Sequence, residues 1–234
     1  MTTPSANSPR TLEPNQRRVL GVLIEKAKTM PGSYPMTVNA IVAGCNQKNN
    51  RDPLTSLDEA DVMNALNDLD NLGVVEVIDW VGRVPKYKHL AYDWLSVGAV
   101  ELAVLAELLL RGAQALGELR GRAARMAPIA DLAELKPIVD RLVQRGLMIE
   151  LTAPGRGQIV SHNLYPGDEL QELRAGITGA RATSATTPTQ GRAASPTQDP
   201  PSGWTAELAE LRAELADLAR RVRDLEARPN TRSD

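Results

Sequence analysis

Residues 61–92, DVMNALNDLDNLGVVEVIDWVGRVPKYKHLAY, decide the fold. Val62, Leu66 and Leu69 recur at helical spacing, and Gly73 stands where a helix ends in left-handed backbone. Residues 74–81 are β-branched and apolar, Gly82-Arg83 is a turn, and residues 86–92 return as a second strand. Shifted by 73 positions, the stretch lies on residues 134–165 without a gap. Leu69 then meets Leu142, Gly73 meets Gly146, and Gly82-Arg83 meets Gly155-Arg156. His89 meets His162, and Tyr92 meets Tyr165. Six identities in 32 positions would mean little if scattered, but here the glycines fall at the helix stop and the turn. The chain carries a duplication.

Working outward, residues 12–28 form a helix with an apolar stripe at 12, 19, 20, 22, 23, 24 and 27, and Pro14 suits its first turn. Pro31-Gly32 ends it, and a short helix follows over about 36–44. Asp58 is an N-cap, with Leu57 and Val62 placed as a hydrophobic staple. Three helices and a hairpin are the order of a winged helix-turn-helix. In the second copy Ser96 caps a helix ending near Gly112, residues 116–126 and 132–145 are the next two, and a hairpin closes around Gly155-Arg156. The fold class is thus α+β, mainly α, with two tandem winged helix-turn-helix domains at 11–92 and 95–165 and a disordered segment at 1–10.

Residues 166–203 read as a linker, mostly disordered, because 176–203 collapse to Ala, Thr, Ser, Pro, Gln and Gly. A coiled-coil helix follows at 204–228. Its dimer seam is Leu208, Leu211, Leu215, Leu218, Val222 and Leu225, at alternating three and four spacing. In a parallel pair Glu207 faces Arg212 and Arg221 faces Glu226, so the chain is expected to form a homodimer.

Composition narrows the chemistry. Lys+Arg number 27 and Asp+Glu 29, for a net charge of −2, so any nucleic-acid footprint must be local. One cysteine rules out an intramolecular disulfide framework. Residues 1–10 have no apolar leader core and no run is long enough to span a membrane, so the expectation is a cytoplasmic protein. No P-loop, GxGxxG or HExxH is present, and no catalytic residue, cofactor or metal is expected. Cys45 has Lys48 and Arg51 nearby but no neighbouring base, which suits a small buried residue better than a nucleophile. Asn46, Gln47, Asn49 and Asn50 suit base or phosphate contacts, or the turns and caps of a connector. His89 and His162 occupy matching strand positions, and neither has a cysteine partner for a metal.

The candidate nucleic-acid contacts are the wing residues Arg83, Lys86, Lys88 and Arg156, with Arg120, Arg122 and Arg125 on the second copy's basic second helix and Arg111 ahead of them. Arg141 and Arg145 join them from its third helix. Against this, the third helix of the first copy carries Glu59, Asp61, Asp68 and Asp70 and no cation. A winged helix that inserts this element into the major groove would meet phosphate with the wrong sign.

Three runs carry a family resemblance. They are Leu12-Glu13-Pro14-Asn15-Gln16-Arg17-Arg18, Cys45-Asn46-Gln47-Lys48-Asn49-Asn50-Arg51-Asp52-Pro53, and Leu109-Leu110-Arg111-Gly112-Ala113-Gln114 with Gly117-Glu118-Leu119-Arg120 and Arg122-Ala123-Ala124-Arg125-Met126 after it. With Tyr34-Pro35 and Val38-Asn39 they resemble the YceH-like family of bacterial proteins over about residues 11–165. The resemblance implies tandem winged-helix domains and supplies no catalytic or ligand residues. The chain departs from the family pattern at Ala115-Leu116, where a Thr-Pro pair is usual, and in a longer linker at 176–203. The leading expectation is a non-enzymatic dimer that binds double-stranded DNA, as a regulator would. The alternative is a scaffold that holds another protein, as condensin-accessory proteins do with paired winged helices.

Overall fold

The computed structural model describes residues 11–78 and 84–184, with side chains to residue 177. The 1–10 segment, Arg83, the 204–228 helix and the seam Leu208, Leu211, Leu215, Leu218, Val222 and Leu225 lie outside the described residues.

The fold is mixed α+β and mainly helical. In chain order it runs α1 (Pro14–Thr29), α2 (Val38–Cys45), α3 (Glu59–Asn71), β1 (Val75–Ile78), β2 (Lys86–His89) and α4 (Ala91–Leu95). There follow α5 (Ala99–Arg111), β3 (Gln114–Ala115), α6 (Leu116–Ala123), α7 (Leu132–Gln144), β4 (Met148–Glu150), β5 (Ile159–His162) and α8 (Gly167–Ser184). The helix ends follow from sequence. Asp58 and Asp131 each accept the backbone N–H three residues on, from Asp61 at 2.8 Å and Glu134 at 2.9 Å, and so cap α3 and α7. Both helices stop at a glycine of φ +69°, Gly73 and Gly146. In each case two reverse backbone bonds close the end: Gly73 N–H to Asp70 O and Val74 N–H to Leu69 O, and Gly146 N–H to Val143 O and Leu147 N–H to Leu142 O.

The 73-residue offset holds bond for bond. Leu90 N–H donates to Val74 O and Asn163 N–H to Leu147 O, at 2.7 and 2.9 Å. His89 and His162 each accept on Nδ1 the backbone N–H two residues on, from Ala91 at 3.3 Å and Leu164 at 3.2 Å. Strand β5 pairs antiparallel with both β4 and β3, giving the order β3-β5-β4. The sequence shows no signal for the two-residue β3. Its counterpart in the first copy is an isolated bridge between Met36 and Tyr87. Gln114 pairs with Val160 where Met36 pairs with Tyr87, so the offset is 78 before the connector and 73 after it. The second connector is five residues shorter.

Several details differ from the sequence reading. Ser96 does not cap α5. It ends α4 in left-handed backbone (φ 54°), and Glu101 instead accepts the N–H of Gly98 at 3.0 Å. The expected linker at 166–203 is helical over Gly167–Ser184. Asp168 and Glu169 favour that helix start, and Glu169 is held by Arg17. The largest difference is α1. A stripe along one face was expected, yet Gln16 through Glu25 are all buried. Helix α5 is likewise buried from Leu102 through Leu110. The two helices pack on each other, with Gly21 against Leu109 and Leu110, and the buried residues of both copies form one cluster. No helix among the described residues is long and apolar enough to cross a membrane.

Candidate nucleic-acid interface and the joint between the repeats

A helix buried on every side must find partners for its polar residues, and Glu25 shows how. Its carboxylate, 2% exposed, receives Arg51 through two bonds, Nη2 to Oε2 at 2.5 Å and Nη1 to Oε1 at 3.2 Å. Arg125, at the end of α6, binds the same carboxylate from the second repeat and reaches Glu107 of α5 at 3.1 Å. Arg111 lies 3.2 Å from Glu107 and donates to Asn50 Oδ1 at 3.1 Å. Three arginines and two glutamates, drawn from both repeats, thus form one chain of charge, in which Glu25, Glu107 and Arg51 are buried and Arg111 and Arg125 reach in from the surface.

The two carboxylates respond differently. Burial pushes Glu25 up, but the bonds and charges of Arg51 and then Arg125 outweigh it and hold the carboxyl below the usual range. At Glu107 burial prevails over Arg125 and Arg111, and the carboxyl is raised.

The residues between α2 and α3 build this joint. Cys45 is fully buried in the core. Asn46 clamps Leu57 by donating to its carbonyl and accepting its N–H, both at 2.8 Å. Gln47 accepts from Arg51 at 3.1 Å, and Asn50 turns the chain at φ 60°. Arg51 also donates Nε to Gly44 O at 2.9 Å. Asp52 N–H donates to Leu110 O of the second repeat at 3.0 Å, and Pro53 O accepts from Arg18 at 2.5 Å. Lys48 and Asn49 alone project as exposed side chains within 45–51. Asn46, Gln47 and Asn50 therefore build and hold the connector, while Asn49 faces solvent. Burial pushes the Cys45 thiol up to about 12 despite Arg18 and Arg51, so no thiolate forms there at neutral pH.

The candidate phosphate contacts scatter. Arg111 and Arg125 point inward, into the joint. Arg120 donates to the carbonyls of Ile129 and Ala130, and Arg122 to Gln114 at 2.8 Å, with Glu118 at 3.4 Å. Arg141 pairs with Glu101 at 3.2 Å, and Arg145 donates to the carbonyls of Leu95 and Ser96. Lys88 pairs across the hairpin with Glu76 at 2.8 Å, while Lys86 and Arg156 are exposed. On α3 no cation joins Glu59, Asp61, Asp68 and Asp70. Glu25 and Glu107 are what sequence reasoning missed. An acid inside an apolar helix was the available signal, since such a group must be paired when buried.

Residues 12–156 match the family described as a protein of unknown function, DUF480. The chain is 46% identical over 180 residues to a UPF0502 protein of Rhodopirellula baltica, covering 77% of this chain and 76% of that one. It is 44% identical over 170 residues to a UPF0502 protein of Geobacter sulfurreducens, 70% of this chain and 78% of that one. A UPF0502 protein of Pelobacter propionicus is 47% identical over 135 residues, 58% and 62% of the two chains. These matches agree with the resemblance carried by the sequence motifs.

Proposed function

The chain belongs to the DUF480 family, and on that premise we propose that it is a non-enzymatic adaptor: two winged helix-turn-helix repeats, fixed by a buried ion-pair joint, that hold a protein partner. The observation that carries this reading is the charge of the third helices. Helix α3 offers four acids and no cation, and on α7 Lys136 pairs with Asp140 at 2.5 Å and Arg141 with Glu101. Acids along both edges of the exposed side of α3, with no cation among them, suit a basic protein segment and oppose a phosphate backbone. The heptads at Leu208, Leu211, Leu215, Leu218, Val222 and Leu225 would make the adaptor a dimer, and deleting 204–234 is then expected to give a monomer by light scattering.

Double-stranded DNA is the second reading, favoured by the exposed Lys86 and Arg156 and by the half-buried Arg120 and Arg122. Fluorescence anisotropy with a labelled duplex separates the two. The adaptor reading expects no saturable binding at low salt, and a photo-crosslinker at the exposed Asn67 should trap a protein whose capture is lost on reversing the exposed Glu59 and Asp70 to lysine. Duplex binding that weakens linearly in log salt, and is abolished by Arg120→Glu with Arg122→Glu, would put the DNA reading in its place.

A further inference from the structure

Beside the joint, and separate from the α3 face, lies a cavity of about 400 Å³ between the start of α1, the end of α5 and the start of α8. Three arginines line it: Arg17, Arg18 and Arg111. Two of them sit at the N-terminal end of α1, whose first turn contains no acid, although a helix dipole disfavours cations there. Both are buried, Arg17 to 6% and Arg18 to 4% exposure.

Arg17 is fully engaged. It donates to Leu12 O at 2.6 Å and to Glu169 at 2.5 Å, and it stacks over Tyr165 at 4.8 Å. Arg18 is not. Its Nη2 donates to Pro53 O, but its Nη1 is buried with no hydrogen-bond partner. Burial, then the charge of Arg51, pulls its pKa down, against Cys45, Asp52 and Glu25, which act on it through space. A buried guanidinium with an idle N–H is costly unless something accepts from it. Arg111 Nε is likewise buried without a hydrogen bond of good geometry, although Glu107 lies 3.2 Å away. The rest of the wall is mixed: Leu108, Leu109 and Leu173 are apolar, and Asp52, Glu169 and Glu172 are acidic. An anion would therefore be held by directed arginine bonds and not by net charge.

We propose that this cavity binds a small organic oxyanion, a carboxylate or phosphate on an apolar body, with Arg18 as its anchor and Arg111 beside it. Glu169 of α8 is the internal competitor, a carboxylate already resting on Arg17 at the same cavity. Ligand and helix therefore contend for one cationic cluster.

Calorimetric titration of the full chain with acetate, inorganic phosphate, benzoate and phenyl phosphate, at constant ionic strength set with chloride, tests this. Saturable binding of benzoate or phenyl phosphate, tighter than that of acetate or inorganic phosphate, is expected, and the preferred arm identifies the head group. Arg18→Lys should weaken it about tenfold, because a point charge replaces a directed fork. Since that variant risks misfolding, Glu169→Gln supplies the second arm: it leaves Arg18 in place and should tighten binding several-fold. No saturable binding by either the wild type or Glu169→Gln, or affinity unchanged in folded Arg18→Lys, overturns the assignment. Inorganic phosphate binding as tightly as phenyl phosphate overturns the organic ligand.

Discussion

Arg51 illustrates how far a residue's neighbours in sequence mislead about its work. It stands among carboxamides, beside an exposed lysine, in a run that suggests a ligand site. In the folded chain its side chain is fully buried and donates to Glu25, Gln47 and two backbone carbonyls. Removing one partner of a buried ion pair strands the other, so Arg51→Met is expected to lower stability by about 3–5 kcal/mol in chemical denaturation. A loss below about 1 kcal/mol would mean that Arg125 alone satisfies Glu25. The histidines make a second residue-scale prediction. Burial, then Lys28, lowers His89 to about 4, and burial, then Arg17, takes His162 well below its ordinary 6.5. The unfolded chain therefore binds these protons first as pH falls. Both contributions are complete above pH 6.5; that of His89 is lost as pH falls to about 4, that of His162 progressively below 6.5, each costing about 1.4 kcal/mol per pH unit within its window. Melting temperature against pH should flatten below pH 6.5 in His162→Asn, which keeps an acceptor for Leu164 and no longer titrates. An unchanged slope would refute the assignment.

Elements were legible where the signal was local. The cap Asp58 and the stops Gly73 and Gly146 need only their own turn of chain, and the Asp131 cap, which the sequence reading passed over, is local in the same way. Strand β3 escaped because two residues carry no period, and it exists only because β5 offers an edge. Ser96 escaped for another reason: α4 ends there, and a small polar residue in left-handed backbone looks in sequence like a cap. The crossing of α1 and α5 is the element on which both repeats depend. A Cβ at Gly21 would lie 2.9 Å from Leu110 Cδ2 and 3.3 Å from Leu109 Cβ. Gly21→Ala gains helix propensity but overpacks this crossing, so a net destabilisation of about 1–3 kcal/mol is expected by urea denaturation. A neutral or stabilising outcome would show that the helices separate freely at that point.

At the scale of the molecule, the repeats share one core and one ion-pair chain, although the sequence divides neatly at about residue 93. Heating should therefore give a single calorimetric transition for residues 11–177, with calorimetric and van't Hoff enthalpies equal. Two resolved transitions would mean that the copies fold alone. The duplicated order of helices and hairpins, the Asp58 cap, the glycine stops and the family were determined by the sequence itself. Each rests on spacing along the chain, which backbone geometry converts directly into structure. The fate of the charges was decided only by the tertiary structure. Arg111 meets Glu107 one turn away on α5, but whether Arg125 faces solvent or Glu25 depends on how the end of α6 sits against α1, a relation between residues 100 positions apart. A charge is exposed or buried by what packs over it, and no local pattern encodes that.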